Sequence, residues 1–416
     1  MLNSVAMGWP IRLAWSLLLI SQFFPVWYSS YALLFLLLVL GYHSKQLNWR
    51  GALASRWWHL WAVYFSWQLL SMSWTSNLTD GWSNLSTQLV LLLLPFLFLL
   101  RPPGLNDVIW LFKTHILASL GAMLYAVFAA CMRLQALTDF DGYAIAYNLS
   151  YTVLAAPVMH PGYFSLNLVI SMAICFYLVY IKTWRWQITT ISFMGFTAVF
   201  LVMLNGRMTL FAAFITLSLG LVFFAIRAKR LKPILLLLVL AVGLLGTLPF
   251  LPPTVKGRLM EVTEGLSYDM ATYQAADYNG ISIRLALWEC AGEVIHDNYL
   301  LGTGAGDGKD ELRAVYAKKG LQIAIDDQLN SHNQFVENMV YGGLVQLVLL
   351  FFIFVWAWRK AYLNQNWLWA AFMLFVFLCL QTETILFWHR GVLFFGIFAT
   401  LFYLTPRRGK FEEREV

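Results

Sequence analysis

Apolar runs long enough to cross a lipid bilayer recur along nearly the whole chain, and this feature constrains the fold more than any other. A helix needs about 20 mostly apolar residues to span a hydrocarbon core about 30 Å thick. Composition agrees: of the 416 residues, 60% are hydrophobic and only 12% charged, with a mean hydropathy of +0.66. Soluble globular domains do not have this composition. The chain is expected to be an all-α polytopic membrane protein.

Crossings are expected near residues 11–27, 29–43, 57–74, 85–100, 107–131, 161–181, 187–204, 208–226, 233–250, 335–358, 366–383 and 388–404, about twelve transmembrane helices in all. The first pair is open to two readings, because SQFFPVWYSSYA could join two short spans or belong to one re-entrant segment. Residues 1–250 would carry the first nine spans, 251–334 one long extracytoplasmic loop, and 335–416 the last three spans with a cytoplasmic tail.

Cations set the orientation. Arg12, Lys45, Arg50, Arg56, Arg101, the RAKRLK run, Arg359, Lys360 and the basic tail all fall on one side, which the positive-inside rule makes the cytoplasm. Both termini lie there. The short outer loops hold only Arg133, Arg207 and Arg390. The net charge of +7 is therefore mostly topology and no sign of a nucleic-acid partner. Arg12 ahead of an apolar stretch resembles a secretory leader, but no small-residue cleavage site follows, so a retained first span is expected. Cys131, Cys175, Cys290 and Cys379 have no paired spacing and indicate neither a metal site nor a disulfide framework.

The long loop has a helical pattern. TVKGRLMEVTEGL follows a Pro-Pro break. In the next segment, Ile283, Leu287, Cys290, Ala291 and Val294 form an apolar stripe with Arg284 beside it. A third helix is expected with Asp310 and Glu311 in its first turn and Lys318 and Lys319 in its last, as the helix dipole prefers. The intervening GTGAGDG invites a nucleotide-binding reading. No strand precedes it and no Gly-Lys-Ser/Thr follows, so a tight turn that repositions the chain over the bundle is expected instead.

Ser331 with Gln334 three residues later is a capping-box pattern, which would make Ser331 the N-cap of the tenth span and His332 its first helical residue. The positive end of that helix favours anions and a neutral imidazole, so His332 could take a proton beside a bound anion. An interfacial histidine solvated by headgroups is the plainer reading. Arg207 stands in a short outer turn at the level of lipid phosphates, where a cation needs an anionic partner; a phospholipid headgroup would also serve. Arg284 could reach the same surface. Two guanidinium forks match a diphosphate and would leave His332 as a general base.

These features, in order, resemble the O-antigen ligase and polysaccharide polymerase superfamily: Gly206-Arg207 ahead of a span, IRLALWECAGEVIHDNYLLGTGAG, and SHNQFVENMVYGGLVQL after a long outer loop. The most specific parts are Arg284-x-x-x-Trp288 with the downstream glycine run, and His332-Asn333 followed by Gly-Gly-Leu. The resemblance covers nearly the whole chain and is closest to lipid A core:O-antigen ligases. One departure is Asn205-Gly206 before Arg207, where many relatives carry a small hydroxyl residue.

The resemblance implies a glycosyltransferase of the bacterial inner membrane whose active site faces the periplasm. Arg207 and Arg284 would hold the diphosphate of a polyprenyl-linked glycan donor, and His332 would activate a sugar hydroxyl of a lipid A core acceptor. No metal or other cofactor is expected, since the donor carries its own activation. His160, Glu383, His389, Arg390 and Asn333 could line the same cavity. Interfacial solvation would equally explain His160 and His389, and Glu383 with Arg390 could simply close a hairpin as an ion pair. Most tryptophans and tyrosines fit interfacial belts. A polymerase joining lipid-linked repeats has the same motifs. A transporter is a second alternative, but it would need ionisable groups near the membrane midplane, and here they gather at the outer surface.

Overall fold

The structure is a computed structural model; it describes residues 7–136, 142–181, 184, 187–227, 229 and 279–405. The expected crossing at 233–250 and the helix expected over TVKGRLMEVTEGL lie outside the described residues.

Every expected crossing among the described residues overlaps a helix. In chain order these are α1 (Trp9–Ser21), α2 (Val26–Tyr42), a short α3 (Trp49–Leu53), α4 (Arg56–Ser71), α5 (Leu78–Leu100) and α6 (Leu105–Gln135). Two short helices, α7 (Gly142–Asn148) and α8 (Tyr151–Ala155), lead to α9 (Pro161–Tyr180), α10 (Ile188–Met203) and α11 (Arg207–Arg227). The outer segment contributes α12 (Ser282–Asp297), α13 (Gly308–Lys318) and α14 (Gln322–Asp326), and the chain closes with α15 (Gln334–Leu363), α16 (Trp367–Cys379) and α17 (His389–Leu404). No strand occurs among the described residues.

Four helices, α5, α6, α9 and α15, are long and apolar enough to cross a membrane unaided. Six further apolar helices are shorter. Among the described residues, then, four helices are full-length by this measure, and the expected count of about twelve crossings is not confirmed. At a rise of about 1.5 Å per residue, a helix as short as α1 falls well below the hydrocarbon thickness. The first pair is two separate helices packed on each other and joined by the turn 22–25.

Within a bilayer, helices associate by close packing and hydrogen bonding rather than by the hydrophobic effect. The bundle shows both. Gly396 of α17 lies so close to α5 that a Cβ there would sit 2.8 Å from Leu94 Cδ1. Trp57 is fully buried and donates from Nε1 to Thr400 Oγ1 at 3.1 Å. Tyr64, Asn338 and Gln346 form a buried chain, with Tyr64 donating to Asn338 at 3.2 Å and Gln346 donating to Tyr64 at 3.0 Å.

The two ends of the bundle are built differently. One end is tied by Arg12 on Asp107 at 2.5 Å, with Met7 and Gly104 backbone N–H groups also donating to that carboxylate. The other end carries the outer helices. Leu287, Cys290, Ala291 and Val294 of the expected stripe are buried against Leu312, Tyr316 and Ala324, and Val340 and Tyr341 of α15 complete this small core. Burial pushes the Cys290 thiol up to about 11, so it behaves as an apolar filler and not a nucleophile.

The glycine-rich segment threads into a break in α15. Gly343 has φ 63° and ψ −164°, which interrupts the helix and frees carbonyls for other partners. Thr303 N–H donates to Val340 O at 2.8 Å, Gly304 N–H to Tyr341 O at 3.0 Å, and Leu344 N–H to Tyr299 O at 2.9 Å. A Cβ on Gly343 would stand 2.3 Å from Leu300 O, so the backbones touch with nothing between them. Beyond this crossing, Asp307 accepts from the N–H groups of Ser76 at 2.8 Å and Asn77 at 2.6 Å, which pins the loop to the head of α5. The segment is therefore a packing element, as the tight-turn reading expects. Its Thr303 and Gly304 N–H groups are spent on α15 and cannot cradle phosphate.

Candidate active site

The turn 328–334 is held from all sides. Asn330 Oδ1 accepts from the His332 N–H at 2.9 Å, and its Nδ2 donates to Thr384 Oγ1 at 2.8 Å. Ser331 is buried, and the carboxylate of buried Glu337 accepts from its N–H at 3.1 Å and its hydroxyl at 2.5 Å. Trp288 Nε1 donates to Ser331 O at 2.8 Å. Under these restraints His332 adopts φ 48°, a left-handed conformation that costs a non-glycine residue about 1–3 kcal/mol.

This geometry corrects the expected cap. The N-cap is Asn333, whose side chain accepts from Phe335 N at 2.9 Å and Val336 N at 3.2 Å, and the helix begins at Gln334. Ser331 does not cap: its hydroxyl turns to Glu337, and the N–H groups of the first turn donate to Asn333 instead. His332 thus stands outside the helix, ahead of its cap. Asn333 is 8% exposed, and its side-chain oxygen is spent on the cap.

Trp288 and Arg284 lie one turn apart on α12, and the motif they form has a structural meaning. Trp288 fastens the helix to the histidine turn, and Arg284 then reaches Glu383, with Nη2 to Oε1 at 3.6 Å. The other oxygen of Glu383 faces His332 Nδ1 at 3.9 Å. That Nδ1 is buried and has no hydrogen-bond partner. Glu383 itself is placed through Gln334, which donates its N–H to Leu380 O at 2.9 Å and accepts from the Leu386 N–H at 2.7 Å. The expected Glu383–Arg390 hairpin pair is not formed: Glu383 pairs with Arg284, and Arg390 donates to Gln22 O at 3.2 Å.

His160 caps α9, its Nδ1 accepting from Gly162 N–H at 3.2 Å. Burial lowers its pKa below the ordinary 6.5; Glu383 opposes this, while His332 and Arg390 add to it. His160 therefore shares a neighbourhood with the Arg284–Glu383–His332 cluster. His389 turns elsewhere, with Nε2 3.2 Å from Ser29 Oγ. Arg207 is exposed at the head of α11, beside the first turn of α9, where a Cβ on Gly206 would lie 2.6 Å from Ser165 Oγ. Phe223 of α11 packs on Trp367 of α16 at 4.7 Å, so the two helices run antiparallel and Arg207 lies at the Glu383 end.

A depressed histidine pKa stabilises the fold above the unfolded value of about 6.5, and this contribution is lost as pH falls through the folded value. His160→Asn keeps a capping oxygen but cannot titrate. The loss of thermal stability below pH 6.5 in detergent is expected to be smaller in this variant than in the parent. Identical acid-side melting curves would show that His160 does not set it.

Sequence reasoning missed Glu337, Asn330 and Thr384, which hold the turn without offering chemistry of their own. Only Glu337 left a signal, as a carboxylate in the first turn of an apolar helix.

An arginine, a carboxylate and a histidine are thus gathered at one end of an apolar helical bundle. Residues 192–351 match the family model described as O-antigen ligase, so this segment of the chain is similar to that family. The matched segment contains Arg207, Arg284 and His332 and ends before Glu383. No curated protein matches the chain.

Proposed function

We propose that the protein transfers a glycan from a polyprenyl diphosphate carrier to a sugar hydroxyl of lipid A core, at the periplasmic face of a bacterial inner membrane. The match of residues 192–351 to the O-antigen ligase family supports the transfer or polymerisation of lipid-linked glycans. The observation that carries the specific reading is the Arg284–Glu383–His332 cluster. The periplasmic orientation, with both termini cytoplasmic, rests on the basic residues at the opposite end, and helices α12–α14 would form the roof of the site.

In this mechanism His332 Nε2 takes the proton of the acceptor hydroxyl as its oxygen attacks the anomeric carbon. The bond from that carbon to the diphosphate breaks, and Arg284 with Arg207 neutralises the charge that develops on the leaving oxygen. A single displacement inverts the anomeric centre. The donor diphosphate displaces Glu383 from Arg284, because a dianionic group with several oxygens matches the guanidinium better than one carboxylate at 3.6 Å. Glu383 is then free to close on His332 Nδ1, fixing the tautomer with Nε2 as base and stabilising the imidazolium that forms.

Glu383→Gln preserves shape and removes the charge. Losing a charge-assisted hydrogen bond costs about 1.5–3 kcal/mol, so kcat is expected to fall roughly ten- to hundred-fold. The donor KM should not rise, since Arg284 is left without a competitor. A raised donor KM with unchanged kcat would overturn this role.

The test of the function offers purified protein a polyprenyl diphosphate-linked glycan with lipid A core or with a second lipid-linked glycan. Glycan on lipid A core supports the ligase; a ladder of lengthening lipid-linked chains makes the protein a polymerase. Absence of transfer to either acceptor sinks the reading.

A further inference from the structure

A wide-mouthed cleft of about 510 Å³, called the chamber below, opens to the surface between the α1–α2 turn, the end of α8 and the heads of α9 and α17. This is within the size range of small-molecule sites. Its wall is apolar, formed by Pro25, Val26, Pro157, Val158 and Met159, and its polar groups include Arg390 and His160. A smaller niche shares Val26, Met159 and Arg390 with it and is lined further by Gln22, Tyr163 and Asn167. At about 10 Å³ the niche has room for one water or one hydroxyl.

Two observations show that this arrangement is unfinished. Arg390 is partly buried and makes one hydrogen bond, to Gln22 O, with no carboxylate in ion-pair range among the described residues. A cation so placed in a membrane bundle is costly without an anion. Gln22 and Asn167 are 5% and 2% exposed, and their side-chain oxygens, Oε1 and Oδ1, have no donor. Such buried acceptors cost about 1–3 kcal/mol each unless something donates to them. His160 adds a second polar group to the chamber wall, at the head of α9.

We propose that this chamber binds an anionic amphiphile: Arg390 meets its phosphate or carboxylate, the proline-lined wall meets its apolar part, and the Gln22 and Asn167 oxygens accept from a hydroxyl. On the transfer reading, on which this assignment rests, the occupant is the acceptor. Arg284 and Arg207 are committed to the donor diphosphate. A single displacement needs the attacking and leaving oxygens on opposite faces of the anomeric carbon, so the acceptor requires a site apart from the donor arginines, and the chamber would be that site.

The test has two readouts on detergent-solubilised full-length protein. The first is binding of dodecyl phosphate, followed by tryptophan fluorescence, with inorganic phosphate as a separate arm. Arg390→Gln is expected to weaken dodecyl phosphate by about tenfold. Ala156→Trp, an exposed position on the chamber wall, should block it by filling the space. The second readout is steady-state transfer, in which both variants should raise acceptor KM about tenfold and leave donor KM within about twofold. Unchanged binding in both variants would overturn the site, and inorganic phosphate binding as tightly as dodecyl phosphate would overturn an amphiphile as its occupant. A raised donor KM with constant acceptor KM would overturn the acceptor assignment. Arg390-dependent binding in a protein that transfers no glycan would keep the site and remove the transfer reading alone.

Discussion

His332→Ala is expected to reduce glycan transfer by roughly a hundred- to ten-thousand-fold, the range of a lost general base. The loss should fall on kcat. On the proposed function the arginines hold the donor, so its KM should change little, and nothing in the turn depends on the imidazole. The side chain is 30% exposed and its Nδ1 makes no hydrogen bond. The turn is held instead through the His332 N–H on Asn330 and through Ser331 on Glu337, all of which alanine retains. His332→Gly sharpens the comparison, because glycine accepts φ 48° without strain. It should be at least as stable as the parent and equally inactive. Initial rates at matched amounts of folded protein decide the matter, and near-normal transfer in either variant would remove His332 from the chemistry.

The second large effect is structural. Gly343→Ala places a Cβ 2.3 Å from a backbone carbonyl, and at φ 63°, ψ −164° it occupies a region that is essentially glycine's alone. Neither side can yield, because the neighbour is main chain. Destabilisation by about 3 kcal/mol or more is expected, since a contact of this kind adds to the strain of the backbone. The damage should reach the site, since the crossing that would be forced apart joins the outer helices to α15, and α12 carries Arg284. Gly292→Ala is the control: it lies in α12 with open space around it and should be neutral or slightly stabilising. The measurement is the thermal midpoint in detergent alongside transfer activity. A Gly343→Ala protein as stable and active as Gly292→Ala would mean that the loop does not depend on the break in α15.

Periodicity and composition fixed what local chemistry can fix. The crossings were legible because apolar length is a property of contiguous residues, and the stripe on α12 because helical spacing brings its members together. The cap of α15 was misassigned by two residues, for a reason that lies outside the local pattern. Ser331 and Asn333 are both good caps, and a buried carboxylate one turn further on takes the first out of contention. Sequence context marks Arg284 and His332 as functional and allows Glu383 either to line their cavity or to pair with its neighbour Arg390; the structure pairs it with Arg284 and faces it to His332. Nothing in a linear pattern distinguishes a local ion pair from one that reaches back to α12.

By itself, then, the sequence determined that this is a helical membrane protein, where most helices lie, which end is basic, and which arginine and histidine are candidates for chemistry. Those properties follow from transfer free energy and helix geometry, which act residue by residue or turn by turn. Only the tertiary structure decided that the glycine run enters a broken helix, that Glu383 stands between Arg284 and His332, and that Arg390 faces a chamber of its own. Each depends on hydrogen bonds and close contacts between segments far apart in the chain, where several partners are chemically acceptable and packing selects one.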